Sequence, residues 1–304
     1  MLGPDDAAAA YADVARLLDE EILDSLDAGG IFADPVALDD RLRALTEVWG
    51  GAAVRVNRLG DATVAVVRLT ETGAGNSVRI YRRADGRAAL VTALSRHGTP
   101  AVHAMPVARA GRHQVLVVWE GERSARGTTP LALELIRLDP DSSQSVWSTD
   151  ARYGGDLQTW HHTVTIPEVV LRYELRYPGW VPGCEGQTDA EDVLRYAPGR
   201  EGFVVARRRV LRAWHQRLHR GVAQLLAAIR ARDATALRTL VPDRPLRQRL
   251  PAALEREPVC DAVEGTPPRA VNVAARAADG RAWALWFRRA AAAWRLSAVE
   301  PVLE

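Results

Sequence analysis

Three stretches of about fifty residues follow one another from about Val54 to Val210, and each alternates polar turns with apolar runs in the same way. The clearest echo sets Asn57-Arg-Leu-Gly-Asp-Ala-Thr-Val-Ala-Val-Val67 beside Val107-Ala-Arg-Ala-Gly-Arg-His-Gln-Val-Leu-Val-Val118. Each begins with a glycine-containing turn and continues into β-branched and aliphatic residues. Short strands repeating at this period mark a stacked or bladed β architecture, which makes the middle of the chain a scaffold.

The period-2 pattern predicts strands at 53–59, 62–70, 77–82 and 88–94 in the first unit. It predicts 102–108, 113–120, 131–138 and 144–148 in the second, and 162–166, 168–177, 191–196 and 202–210 in the third. Thr72-Gly-Ala-Gly-Asn76, Ala84-Asp-Gly86, Asp139-Pro-Asp141 and Ala197-Pro-Gly199 supply the turns. Helical spacing appears on both sides. Val14, Leu17, Leu18, Ile22 and Leu26 recur over 5–27, and Gly29-Gly30 stops that helix. Asp34-Pro35 then caps a second helix carrying Leu38, Leu42, Leu45 and Trp49. After Leu211 the helical period returns with Trp214, Leu218, Val222, Leu225, Leu226 and Ile229 on one face. A short helix at 244–256 and strands at 269–277, 281–289 and 293–300 complete the chain.

The expected fold class is α+β: antiparallel β-meander repeats with an N-terminal helical cap and a small C-terminal α+β cone. The expected domains are 1–51, 52–210 and 211–304. On the residues quoted above, the repeats resemble degenerate integrin-type β-propeller units of bacterial exported proteins. That family's opening turn is a calcium loop. Here it reads Asn57-Arg-Leu-Gly-Asp61 and Val107-Ala-Arg-Ala-Gly111, too poor in carboxylates for the six or more oxygens calcium takes. The C-terminal segment 225–241 and the closing Trp294-Arg-Leu-Ser-Ala-Val299 are similar to the cystatin-like, nuclear-transport-factor-two-like cones. That resemblance implies an open apolar cavity, with Trp286 and Arg288 on one strand face as a lining for an organic anion.

Charge is unevenly spread. Residues 1–50 carry twelve acids against three Arg, whereas residues 200–256 carry fourteen Arg against four acids. All forty basic residues are Arg and none is Lys, a codon bias of GC-rich, thermophile-like genomes. The two blocks are expected to dock on each other, leaving no nucleic-acid surface. No apolar run reaches the eighteen residues of a membrane-spanning helix. The start, Met1-Leu-Gly-Pro-Asp-Asp6, lacks the features of a signal peptide. An envelope location therefore requires a signal or lipobox upstream of Met1, and the alternative is the cytoplasm.

Residues with chemical potential are few. His215 and His219 share a helix face at i, i+4, the spacing of a zincin pair, but Gln216 stands where its catalytic Glu belongs. Arg212, Arg217 and Arg220 on the same helix oppose a dication. No metal and no cofactor are expected, and the pair is retained as a ligand-binding candidate with Trp286 and Arg288. His161 and His162 fall on opposite faces of a strand, as do Glu191 and Asp192. Cys184 and Cys260 have no metal-type spacing. They form either a disulfide, which suits an extracytoplasmic protein, or two thiols. No nucleophile motif, P-loop or dinucleotide fingerprint occurs. These observations favour a non-catalytic binding or structural module of the bacterial cell envelope, acting on a protein or a small organic ligand. The alternatives are a small-ligand carrier or enzyme using the cone, and a cytoplasmic scaffold.

Overall fold

The computed structural model describes residues 4–48, 53–70, 73–106, 113–139, 142–265, 268–290 and 293–302. The expected turn at 107–111, Trp49, and parts of the turns at Thr72 and Pro140 lie outside them. The fold is α+β with mostly antiparallel sheets. The chain divides into two compact units, one of 1–173 with 191–208, the other of 174–190 with 209–304. The segment 174–190 therefore belongs with the C-terminal part of the chain.

The first unit opens with helices α1 (Pro4–Ala28) and α2 (Pro35–Val48), separated by Gly29 and a 3-10 turn. Asp34 caps α2 as expected, its Oδ1 accepting from the backbone N–H of Val36 and Ala37 at 3.0 and 3.2 Å. Strands β1 (Ala53–Leu59), β2 (Ala62–Arg68), β3 (Ser77–Ala84) and β4 (Arg87–Ser95) follow as a meander in sequential order. Leu18, Ile22, Leu38 and Leu42 press on Val54, Val56, Ala65 and Val67, so the helices cover one face of this sheet. Its other face, with Val64 and Ile80, packs on a second sheet through Val115, Val117 and Ile136. Burial from both sides explains why β2 reads as an almost unbroken apolar run and not as an alternation.

The second sheet contains β5 (Thr99–Ala104), β6 (His113–Glu120), β7 (Thr129–Asp139) and β8 (Ser142–Ser148), then a short helix α3 (Thr149–Tyr153). It continues through β9 (Gln158–Thr165), β10 (Glu168–Glu174), β11 (Asp189–Ala197) and β12 (Gly202–Leu211). The strand order is β12-β11-β10-β9-β7-β6-β5, and β8 pairs along the later part of β7. Only the opening residues of β7 meet β9, at Thr129↔Thr159 and Pro130↔Gln158. The second and third meanders are thus joined into one sheet of eight strands, which the fifty-residue period alone did not indicate.

The acidic helices find ion partners on the sheet they cover. Asp19 of α1 binds Arg79 and the hydroxyl of Tyr81 on β3, and Asp39 of α2 accepts from the backbone N–H of Val56 at 2.9 Å. Asp61, in the turn between β1 and β2, is bound by Arg82.

In the second unit, α4 (Ala213–Arg230), α5 (Ala234–Leu240) and α6 (Arg244–Gln248) precede β13 (Leu254–Arg256), β14 (Ala262–Glu264), β15 (Ala270–Ala277), β16 (Ala282–Ala290) and β17 (Ala293–Pro301). The sheet runs β13-β15-β16-β17, with β14 pairing the start of β15. Leu218, Val222, Leu225 and Ile229 of α4 lie on Val271, Val273, Leu285 and Phe287. Each such burial is worth about 1.5–3 kcal/mol. Two helices are shorter than expected. The cone resemblance implies one helix over 225–241, but it is interrupted after Arg230, and Asp233 caps α5 through the N–H of Thr235 and Ala236. The helix placed at 244–256 ends at Gln248, since Pro251 cannot donate within a helix, and 254–256 join the sheet.

Candidate functional site

Helical spacing places His215 and His219 one turn apart on the buried face of α4, together with Leu218 and Val222. Their ring centroids are 4.2 Å apart. Between them and the sheet sits Asp261, the residue after Cys260 and just ahead of β14. Its Oδ2 lies 3.2 Å from His215 Nε2 and 2.7 Å from His219 Nε2. The three side chains are 5%, 1% and 2% exposed.

Two further residues close the cluster. Tyr177, in the segment between β10 and β11, meets His215 Nδ1 through its hydroxyl at 2.6 Å. Arg256, at the end of β13, reaches Asp261 Oδ1 at 3.2 Å and Oδ2 at 3.4 Å, and donates to the carbonyl of Gly179 at 2.6 Å. Gly179 adopts a φ of +93°, and a Cβ there would come within 2.8 Å of His219 Nδ1. The absent side chain lets backbone and imidazole approach.

The electrostatics follow from burial and pairing. Burial works against charge on Asp261, yet the hydrogen bonds from His215 and His219 and the Arg256 guanidinium outweigh it and hold the carboxyl well below its usual range. Burial pushes His219 down, with the Asp261 hydrogen bond opposing. The cluster at neutral pH is therefore a carboxylate and a guanidinium with a neutral imidazole at His219. An ionised carboxylate only accepts, so the His219 Nε2 facing it carries hydrogen. Among the described residues, His219 Nδ1 has no hydrogen-bond partner.

A disulfide pins this arrangement. Cys184 and Cys260 are bonded, with Cα atoms 5.3 Å apart and 76 positions between them. The open choice between a bond and two thiols resolves as the bond. The bridge ties the turn after Tyr177 and Gly179 to the residue preceding Asp261.

Sequence spacing singled out the two histidines but neither Asp261, Tyr177 nor Arg256, which come from other elements. The expectation of no metal at the His pair rested on Gln216 and on Arg212, Arg217 and Arg220. A third ligand atom is present, and His215, His219 and Asp261 present ligand atoms within 4.8 Å of one another. Arg217 and Arg220, expected to oppose a cation, are exposed and line a separate cleft of about 240 Å³ with Phe287, Trp294 and Leu296. Arg212 is bound by Asp189 and the carbonyl of Gln187.

Trp286 and Arg288 do not join the histidines. Leu285 and Phe287 enter the core of the second unit, leaving Trp286 half-buried and Arg288 exposed on the opposite sheet face. His161 is exposed, and His162 lies 3.6 Å from Glu120. Glu191 faces Arg207 at 3.7 Å, whereas its neighbour Asp192 is fully buried among Tyr153, Tyr173 and Arg208. That second cluster, in the first unit, was not anticipated. Burial raises the Tyr173 hydroxyl to about 12, with the Asp192 charge adding to the shift.

No protein-family model matches this chain, and no curated protein matches it, so its functional reading rests on the geometry above.

Proposed function

We propose that the protein is a non-catalytic binding or structural module of the bacterial cell envelope. In this reading the helix-covered meanders are degenerate integrin-type propeller units, and the second unit is a cystatin-like cone. The observation that carries it is the bond between Cys184 and Cys260, the two cysteines of the chain. Such bonds persist in oxidising compartments and are rare in reducing ones.

Two features support the non-catalytic part. Asp192 and Asp261, the acids with the strongest surroundings, are buried and spent on internal partners. Catalysis by either needs a substrate to reach side chains that solvent scarcely reaches. The first unit also has an open groove of about 730 Å³ between α1 and the sheet, lined by Ala8, Tyr11, Ala12, Ala15, Gly75 and His97. Its alanines give room beside Tyr11 for a partner's side chain, with Ser77, Ser95 and His97 as polar contacts.

The test is fractionation of the native host followed by thiol alkylation before and after reduction. Recovery with the envelope fraction, alkylated at two positions only after reduction, is expected. Cytosolic protein with two freely alkylating thiols refutes the compartment.

A second reading is supported by the cleft of about 240 Å³ beside α4, which Arg217 and Arg220 line together with Phe287 and Trp294. Two cations and two aromatic rings in one lining suit a small aromatic carboxylate. A thermal shift by such acids that disappears in the double variant Arg217→Gln/Arg220→Gln would move the function to this cleft.

A further inference from the structure

We infer that His215 Nε2, His219 Nε2 and Asp261 Oδ2 form a zinc site inside the second unit. Nothing in the compartment reading is needed for this; it rests on the ligand set and its spacing.

Two imidazoles and one carboxylate are a borderline-soft set that suits zinc over the oxygen-seeking calcium and magnesium. Zinc takes nitrogen at about 2.0–2.1 Å and carboxylate oxygen at about 2.0–2.2 Å, so neighbouring ligand atoms on one tetrahedron lie about 3.3 Å apart. The His215–Asp261 edge is 3.2 Å. The His219–Asp261 edge is 2.7 Å and has to open by about 0.6 Å. Three protein ligands leave one tetrahedral position for a water molecule.

The surrounding groups orient the ligands. For Nε2 to bind zinc, the imidazole hydrogen must sit on Nδ1. On His215 that N–H points at the Tyr177 hydroxyl oxygen, 2.6 Å away, as ligating histidines usually require. Arg256 binds both oxygens of Asp261, at 3.2 Å from Oδ1 and 3.4 Å from Oδ2, and so fixes the carboxylate while sharing Oδ2 with the histidines. The disulfide fixes the neighbouring Cys260, so Asp261 is held near α4 before any ion arrives. Two features weaken the site. Arg256 is a cation close to the ion, and among the described residues His219 Nδ1 has no acceptor. Moderate affinity follows, and the assay must work at equilibrium.

The experiment is equilibrium dialysis of the disulfide-bonded protein against zinc, with cobalt(II) as a spectroscopic probe and melting followed with zinc or EDTA. One zinc per chain is expected, with cobalt giving intense visible bands of a tetrahedral ion. Zinc should raise the melting temperature and EDTA should reverse the rise, since an ion bound only by the native state stabilises it by mass action. His219→Gln and Asp261→Asn should each reduce uptake at least tenfold, while His162→Gln binds as the wild type does. Absence of zinc uptake by the wild type overturns the inference, as does uptake retained in His219→Gln. If either variant at the site fails to fold, the wild-type stoichiometry, the cobalt spectrum and the His162→Gln control still decide.

Discussion

Replacing both bridged cysteines, Cys184→Ser with Cys260→Ser, should loosen the second unit by about 4 kcal/mol. The bonded residues are 76 positions apart, and a loop of that length gives about 4.5 kcal/mol in the chain-entropy account. Part of this loop, 191–208, folds with the first unit. If that unit stays folded while the second opens, only about 60 residues of the loop are released. The estimate then falls only to about 4.2 kcal/mol, because the dependence on length is logarithmic. The turn carrying Cys184 should survive, since Gln187 binds the backbone of Val181 and Cys184 independently of the sulfur. The lost stability should therefore appear as a lost tether on Asp261 and β14. Urea denaturation of the oxidised protein and of the double variant measures the total. Hydrogen exchange of the α4 amides assigns it to the second unit. Destabilisation below about 1 kcal/mol, or faster exchange confined to the first unit, would refute the reasoning; the first outcome would show that the unfolded chain keeps the two ends of the loop close without the bond.

Asp192→Asn should cost about 2–3 kcal/mol in urea denaturation, below the 3–5 typical of a broken buried pair, because Arg208 is half-exposed and recovers water. Stability should fall on acidification below about pH 4. Burial works against charge on Asp192, but Arg208 and Tyr153 hold its carboxyl below 3.8, and Arg82 does the same for Asp61. Their contribution is present above the unfolded value of 3.8 and is lost as pH falls towards the folded one, so a midpoint that is flat from pH 6 to pH 2 contradicts the pairing. Gly179→Ala should destabilise by about 1–3 kcal/mol more than Gly183→Ala, as measured by melting. Both glycines have positive φ, but only at Gly179 does a Cβ strike a neighbour, the His219 ring. Equal effects would mean that the ring yields freely.

Much of the architecture was readable along the chain because local physics writes it there. The β-strand and helix periods located β1 to β4 and α1, α2 and α4 within a few residues, and Asp34-Pro35 marked the start of α2. The opposite orientations of His161 and His162 followed from strand geometry, as did those of Glu191 and Asp192. Boundaries failed where one residue overrode a longer pattern, as at Pro251 and at Asp233.

The sequence by itself determined which segments become helix or strand, because these choices depend on neighbours within about one or two turns of chain. It also put His215 and His219 on one face of α4. Only the tertiary structure decided that the later meanders share one sheet, since strand order is a matter of long-range pairing. It alone brought Asp261 to the histidines from 42 positions away and buried Asp192 between two tyrosines. Such contacts carry no periodic signature: a carboxylate in a loop reads the same whether it faces water or an imidazole, and burial against distant elements settles which.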